Sequence, residues 1–487
     1  MVLIEPEIQA MAVIMEKQIP LCVDLDGTLI RTDLFYESFF AMLKLNALLA
    51  LKCVVWIFKG KAYVKHQMAK RVPIHPERLP YQKGFLQFLR DQRAQDRSLV
   101  LCTASHEKYA SQIAAHLELF DKVIASDGQI NMGGKNKRAL LVSQYGEGGF
   151  DYAGNSAADL EIWPYARNAI LVNPTPRVER AMKRAARIAY VFKDNAPSWR
   201  DYRRLFRLHQ WLKNVLLFVP VVAAHRMNDF DLLADAFMAF VAFSLCASSV
   251  YILNDLLDLD LDRKHPRKRG RPLAKGAFPI AGATMLIPTL LLAALALSLA
   301  LPYQFLGVLV LYCLATMTYS LWLKRKMMLD VLLLAGLYTL RIIAGSAATS
   351  ISPSFWLLAF SMFLFLSLAQ LKRYSELIGR LGSDEKFIPG RAYQHADLPI
   401  LHSLGTSSGY ISVLVLALYV NADDVSRHHV HPELIWLLCP LLLYWMSRVW
   451  IIAGRGNMHD DPVVFAFRDT PSRWVGVVAA IIVWLAT

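Results

Sequence analysis

From residue 214 onward the sequence is a succession of apolar runs: about 214–229, 232–254, 281–302, 304–322, 329–350, 353–371, 400–420, 434–453 and 473–487. Most approach the ~20 residues that a helix needs to cross a bilayer, the first and last being short. A backbone in lipid must satisfy its own hydrogen bonds, so such runs admit helices and little else. The pattern predicts an all-α polytopic membrane domain of about nine transmembrane helices over residues 213–487. Hydrophobic residues make up 55% of the chain and mean hydropathy is +0.34, but residues 1–200 read as mostly soluble.

Nine spans put the loops 255–280, 323–328, 372–399 and 454–472 on one side, and these hold nearly all the Lys and Arg of the membrane part. The positive-inside bias makes that side cytoplasmic and the protein a multi-pass component of a cell inner membrane. Opposite lies a loop with His428, His429 and His431, read as solvated rather than metal-binding. The net charge of +14 suits basic loops on an anionic leaflet; with no aromatic–basic RNA motif, nucleic acid is not an expected partner. Six cysteines stand singly, as buried thiols of a reducing compartment do. Residues 1–18 lack a signal-peptide pattern, which also places the first domain in the cytoplasm.

Where the second apolar run ends, residues 254–272 read NDLLDLDLDRKHPRKRGRP. Asp255, Asp258 and Asp262 recur at helical spacing, so they share a face with Asn254. Carboxylates packed this way repel unless a cation joins them, and hard oxygen ligands suit Mg2+. Arg263, Lys268 and Arg271 follow, able to hold phosphate oxygens. A charged loop would explain the bases but not the acids on one face. The stretch resembles the first Asp-rich motif, NDxxDxxxD, of the UbiA superfamily of intramembrane prenyltransferases. Its continuation, DRxHPxKxxRP, is similar to the branch that contains decaprenyl-phosphate phosphoribosyltransferase.

That resemblance extends along the membrane domain. Gln210, Trp211, Lys213 and Asn214 match the RPxQWxKN entrance of the branch, with Leu208 in place of its usual proline. Lys213 and Asn214 would point into the cavity. The segment holding Tyr319, Lys324, Asp330, Arg341 and Gly345 is also similar; Arg341 is too deep in its span to snorkel and should pair with a carboxylate or a phosphate. The second Asp-rich motif of aromatic prenyltransferases is replaced by Lys372, Arg373 and Glu376, a KRxxEL pattern that would grip phosphate directly. Further charge follows at Arg391 and in the stretch from Arg455 through His459 and Asp460 to Pro462, with no assigned role. The resemblance implies catalysis by Asp255, Asp258 and Asp262. It implies phosphate binding by the basic residues named, and substrate contacts from Asn214, Asn254, Tyr319 and Glu376.

Residues 1–195 read as a separate α/β doubly wound domain with a helical cap at about 32–83, joined by a basic linker at 196–212. An apolar strand ends in Asp24-Leu25-Asp26-Gly27-Thr28, placing two carboxylates over a crevice at a sheet edge. With Thr103, Lys137 and the sequence GNSAAD ending in Asp159, this resembles the haloacid dehalogenase-like phosphatases. The resemblance implies Asp24 as nucleophile, Asp26 as general acid, Thr103 and Lys137 on the phosphoryl group, and Mg2+ held with Asp24, Asp26 and Asp159. Lys135 is the alternative to Lys137. Asn155 stands where the family places an aspartate, which leaves open an active phosphatase or a degenerate structural module. Residues 42–61 are apolar with Lys44, Lys52, Lys59 and Lys61 interspersed, suggesting an interfacial cap helix or one packed in the core.

The resulting expectation is 5-phosphoribosyl transfer from phosphoribosyl diphosphate to a polyprenyl phosphate, with the fused phosphatase acting on the product. Prenyl transfer from a prenyl diphosphate to an aromatic or other acceptor is the alternative, and an inactive lipid-binding scaffold a third.

Overall fold

The computed structural model describes residues 19–185, 187–194, 196–379, 392–420, 431–458 and 461–486; residues 1–18, Arg391, His428, His429, His459 and Asp460 lie outside the described residues. The chain forms two compact units, Met1–Phe206 with Ile252–Leu286, and Arg207–Tyr251 with Ile287–Thr487.

The first unit begins with β1 (Leu21–Val23), the cap helices α1 (Leu34–Leu45), α2 (Ala47–Ile57) and α3 (Lys61–Arg71), then α4 (Lys83–Ala94) and β2 (Leu99–His106). It continues through α5 (Glu107–Leu117), β3 (Lys122–Ser126), α6 (Gly134–Tyr145), β4 (Asp151–Gly154), β5 (Ala169–Val172), α7 (Pro176–Ala185), β6 (Ile188–Phe192) and α8 (Trp199–Leu205). The strands make one parallel sheet in the order β3-β2-β1-β4-β5-β6, the doubly wound fold that the sequence predicts. Every side chain of β1 is buried, as a central strand covered on both faces requires. Leu21 and Val23 enter one apolar layer and Cys22 the other. Strand order reverses at β1, so its carboxyl end is the switch point where such sheets open a crevice. Asp24 is the next residue.

In the cap, residues 42–61 are not one helix. Asn46 ends α1, and its Oδ1 accepts hydrogen bonds from the amides of Leu48 (2.9 Å) and Leu49 (3.3 Å) to start α2. One side of α2 is buried through Ala50 and Cys53; Leu48, Leu51, Val55 and the following Phe58 are 71%, 65%, 61% and 87% exposed.

The remaining helices are α9 (Val219–Ala223), α10 (Phe230–Leu257), α11 (Leu259–Lys264), α12 (Ile280–Ser298), α13 (Tyr303–Leu321), α14 (Leu329–Thr349), α15 (Phe355–Ile378), α16 (Leu398–Val420), α17 (Leu438–Gly454), α18 (Pro462–Arg468) and α19 (Thr470–Ala486). Among the described residues seven helices are long and apolar enough to cross a membrane, or eight if α18 and α19, bent by 82°, make one span. The nine expected spans are therefore not reached. The first run becomes a short helix over Leu208–Ala223 that begins as 3-10 turns. Pro220 sits at the start of α9, and His225 at φ 53° follows its end. The last run is one arm of the bent pair. Within the second unit the chain packs closely at Gly345, where a Cβ would lie 2.0 Å from the Leu217 carbonyl oxygen.

Candidate functional site

The crevice beyond β1 gathers the phosphatase-type residues. Lys137 Nζ donates to Asp24 Oδ1 at 2.7 Å and to the Tyr152 hydroxyl at 2.9 Å. Lys137 is buried on α6 whereas Lys135 is exposed, which decides between the two lysines. Asp26 Oδ1 accepts from the Leu34 amide (2.9 Å) and its Oδ2 from Ser105 Oγ (2.6 Å). Thr103 is fully buried, its Oγ1 accepting from the Ser105 amide at 2.9 Å. Burial pushes the Asp24 carboxyl up to about 7, with the Lys137 ammonium pulling the other way; burial and the nearby Asp33 likewise push Asp26 up to about 7. A carboxyl at that value can hold a proton for a leaving group near neutral pH, the role the resemblance assigns to Asp26.

Gly27 makes the turn after these carboxylates at φ +75°, and a Cβ there would lie 2.1 Å from Asn155 Nδ2. Asn155 Oδ1 is buried without a hydrogen-bond partner. An amide oxygen left unsatisfied beside a turn that follows two carboxylates suits a hard cation, so Asp24 and Asn155 fit Mg2+, whereas both Asp26 oxygens are taken by Leu34 and Ser105. Asp159, expected as a ligand, has both oxygens occupied. Its Oδ1 accepts from the Tyr152 hydroxyl (2.8 Å), and its Oδ2 from the amides of Asn155 (3.1 Å) and Ser156 (2.8 Å) and from Ser156 Oγ (2.9 Å). A carboxylate with its lone pairs so engaged anchors the turn bearing Asn155 instead of facing a metal. Sequence reasoning missed Tyr152, Ser105 and Lys65. Lys65 and His106 line a small pocket with Phe35, Ser105 and Tyr109, and no motif spacing marks them.

The acidic stretch, also in the first unit, keeps helical bonds through the junction of α10 and α11: Asp258 N to Asn254 O is 3.0 Å and Asp262 N to Asp258 O is 2.8 Å. Asp255 and Asp262, 2% and 3% exposed, both accept from Arg271 Nη1, at 3.0 and 2.6 Å. Burial pushes the Asp262 carboxyl up, and Arg271 opposes that shift. Asn254 Oδ1 is buried without a hydrogen-bond partner. Two buried carboxylates already drawn together by one positive group, with an orphaned amide oxygen in the same stretch, fit Mg2+. Asp258 turns elsewhere, to Lys44 Nζ on α1 at 2.5 Å. Arg263, expected on phosphate, is closed on Glu37 (Nη1–Oε2 2.9 Å, Nη2–Oε1 2.6 Å) and on the Ala274 carbonyl (3.0 Å), so its fork is consumed. Lys268 is exposed.

In the second unit the sequence-predicted residues fall in three polar clusters. Lys213 pairs with Asp461 Oδ2, and Lys372 Nζ lies 3.7 Å from the same oxygen. Asp461 also caps α18 through the amides of Val463 (3.1 Å) and Val464 (3.4 Å). Its neighbour Pro462, at the first turn of the helix, fits such a cap, a signal that sequence reasoning did not use. Asn214 donates to Ser244 Oγ (2.8 Å) and accepts from Arg341 Nε (2.9 Å). Arg341 was expected to meet a carboxylate or phosphate. Its protein partners are this amide, the Leu337 carbonyl, the Tyr312 hydroxyl at 3.2 Å, and the rings of Tyr312, Tyr338 and Phe243 at 5.1, 5.3 and 5.5 Å.

The third cluster gathers Arg373, Tyr319 and Glu376, expected on the substrate, around Asp330. Arg373 is fully buried, donating to Asp330 Oδ2 (2.6 Å), Glu376 Oε2 (2.6 Å) and the Tyr319 hydroxyl (2.8 Å). Tyr393 completes the network with a 2.6 Å bond to Asp330 Oδ1. A guanidinium so engaged is spent on protein. Lys324 lies just beyond α13, half-buried.

Comparison with known proteins finds two families along the chain. Residues 215–470 match the UbiA prenyltransferase family, and residues 21–162 match the haloacid dehalogenase-like hydrolases. A Sinorhizobium fredii protein, named Uncharacterized protein y4nM, is 34% identical over 467 residues, 96% of this chain and 90% of its own. Nodulation protein NoeC of Azorhizobium caulinodans is 36% identical over 275 residues, 56% of this chain and 88% of that protein. Decaprenyl-phosphate phosphoribosyltransferase of Mycobacterium tuberculosis is 36% identical over 193 residues, 36% of this chain and 59% of that protein.

Proposed function

Because the chain belongs to the UbiA prenyltransferase family and carries a haloacid dehalogenase-like domain at its N-terminus, we propose that it is a two-step enzyme of phosphorylated membrane lipids. The first step moves a 5-phosphoribosyl group from phosphoribosyl diphosphate to a polyprenyl phosphate, with Mg2+. The second removes the 5-phosphate from the product. Both take place on the cytoplasmic side of a cell inner membrane. What favours the first step is the buried Asp255–Arg271–Asp262 cluster with the orphaned Asn254 oxygen. KRxxEL in place of a second acidic motif, and the phosphoribosyltransferase among the relatives, favour ribosyl over prenyl transfer.

In the transfer, Mg2+ held by Asn254, Asp255 and Asp262 would neutralise the donor diphosphate. Arg271 turns from its carboxylates to a diphosphate oxygen. The bond from the anomeric carbon to that diphosphate breaks, positive charge develops on the carbon, and an oxygen of the lipid phosphate bonds to it. In the N-terminal domain, Asp24 attacks the 5-phosphate while Asp26 protonates the departing ribose oxygen, and Lys137 and Thr103 hold the phosphoryl oxygens. Asp26, now ionised, takes a proton from the water that cleaves the aspartyl-phosphate. The exposed apolar side of α2, with Lys52, Lys59 and Lys61 exposed around it, lies in the headgroup region of the leaflet.

The test combines purified protein, Mg2+, polyprenyl phosphate and labelled phosphoribosyl diphosphate. Labelled lipid that disappears in Asp255→Asn, with phosphate release lost in Asp24→Asn, is expected. No labelled lipid, but turnover of a prenyl diphosphate with an aromatic acceptor, would replace ribosyl by prenyl transfer.

A further inference from the structure

The cap helix α1 touches both chemistries within the first unit. At its start the Leu34 amide donates to Asp26 Oδ1 at 2.9 Å, and the Asp33 side chain caps the helix. One turn on, Glu37 holds the half-buried Arg263 by two bonds, next in sequence to Asp262. At its end Lys44 Nζ meets Asp258 Oδ1 at 2.5 Å. Twelve residues at 1.5 Å each make about 18 Å of rigid rod between these ends. Two further links hold the acidic segment to the same fold: Arg78 Nη1 on Asp260 Oδ2 at 2.9 Å, and Lys275 Nζ on Asp201 Oδ1 at 2.6 Å. Gly276 lies against Arg31 so closely that a Cβ would meet the Arg31 Cβ at 2.6 Å.

We propose that Lys44 is a residue of the acidic site: a built-in cation, supplied by the phosphatase cap, that neutralises Asp258 and yields it when the motif takes a divalent ion. The proposal rests on the metal-binding reading of Asn254, Asp255, Asp258 and Asp262. Asp258 is the member of that set that meets the cap. The Lys44 and Asp258 side chains are 21% and 24% exposed, open enough for the pair to exchange partners. Asp255 and Asp262, at 3% and 4%, are closed on Arg271 until the donor draws that guanidinium away. A monovalent ammonium and a divalent ion compete for one carboxylate, so release of Lys44 frees the end of the helix whose start positions Asp26. Lys44 is in this sense a positioning residue, linking the loading of one site to the geometry of the other.

The experiment titrates Mn2+ into the full chain in lipid nanodiscs and follows free Mn2+ by electron paramagnetic resonance. The variants are Lys44→Gln, Lys44→Arg, Asp258→Asn and the Lys44→Gln/Asp258→Asn double. Lys44→Gln is expected to tighten one class of Mn2+ sites about tenfold, or ~1.4 kcal/mol. The gain should vanish in the double variant, and Lys44→Arg should keep the wild-type affinity. Hydrogen exchange gives a second readout: Mn2+ should speed exchange at residues 42–45 in the wild type and not in Asp258→Asn. A class of sites that Asp258→Asn removes, but that Lys44→Gln leaves unmoved or weakens, overturns the proposal alone. With no Asp258-dependent class in either wild type or Lys44→Gln, the metal reading of the motif fails together with it. Unchanged exchange at residues 42–45 refutes the mechanical link.

Discussion

Asp330→Asn tests whether Arg373 is a structural hub or a phosphate ligand. The side chains of Arg373 and Asp330 are both 0% exposed, and their bond is 2.6 Å long. Asparagine keeps the volume and one acceptor oxygen but removes the charge. Breaking a buried pair by removing one partner costs about 3–5 kcal/mol, because the other charge is left without compensation. Here Glu376, whose side chain is 26% exposed, still holds Nη1, so the loss belongs near the lower end, about 3 kcal/mol. At roughly 2–4 °C per kcal/mol for a domain of this size, Tm should fall by about 6–12 °C. The assay is thermal unfolding of purified protein in one detergent, followed by intrinsic fluorescence. Replacing both partners by apolar residues, Asp330→Leu with Arg373→Met, should recover much of the loss, since no buried charge then remains. A Tm within about 2 °C of wild type, combined with weakened binding of the diphosphate donor, would refute the hub and return Arg373 to the substrate.

Asn155→Asp restores a carboxylate against the Asp24–Gly27 turn; phosphate release should then saturate at about tenfold lower Mg2+, and an unchanged requirement would mean that this side chain does not reach the ion. Lys137→Ala should lower phosphate release by about a hundredfold or more while leaving lipid labelling intact, whereas Lys135→Ala stays near wild type; equal effects would break the assignment. A spin label at Phe58→Cys in nanodiscs should be more accessible to oxygen than to a water-soluble nickel chelate. The reverse order would place α2 in water and remove it from the leaflet.

The doubly wound fold was legible because its signals are local. An apolar strand ending in DLDGT names its own place in a parallel sheet, and GNSAAD marks the turn beside it. Lys137 needed more, since Lys135 satisfies the same spacing and only burial on α6 separates them. Asp159 was misplaced for a related reason: a motif states which residue type is present, not which donors have already claimed its oxygens. The span count failed where length was marginal. Residues 214–229 contain Pro220 and end near a left-handed His225, and hydropathy records neither.

The contacts that sequence could not supply are those made over long separations by residues with innocent local readings. Lys44 reads as a lysine interrupting an apolar run, and Glu37 as an acid in a first helical turn, a favourable place for a negative charge whatever lies beyond. Arg263 reads as one more base in a basic loop. Only the folded chain brings Glu37 to Arg263 across 226 positions and Lys44 to Asp258 across 214. Such pairs also explain why the compact division of the chain does not follow its motifs. The acidic segment Ile252–Leu286 belongs to the same unit as the α/β fold, although the helices it joins, α10 and α12, run on into the other. A loop that served only its own spans would have no reason to close Arg263 on a cap glutamate and Lys275 on Asp201. These ion pairs are therefore the place to look for what a fused phosphatase adds that a separate one would lack.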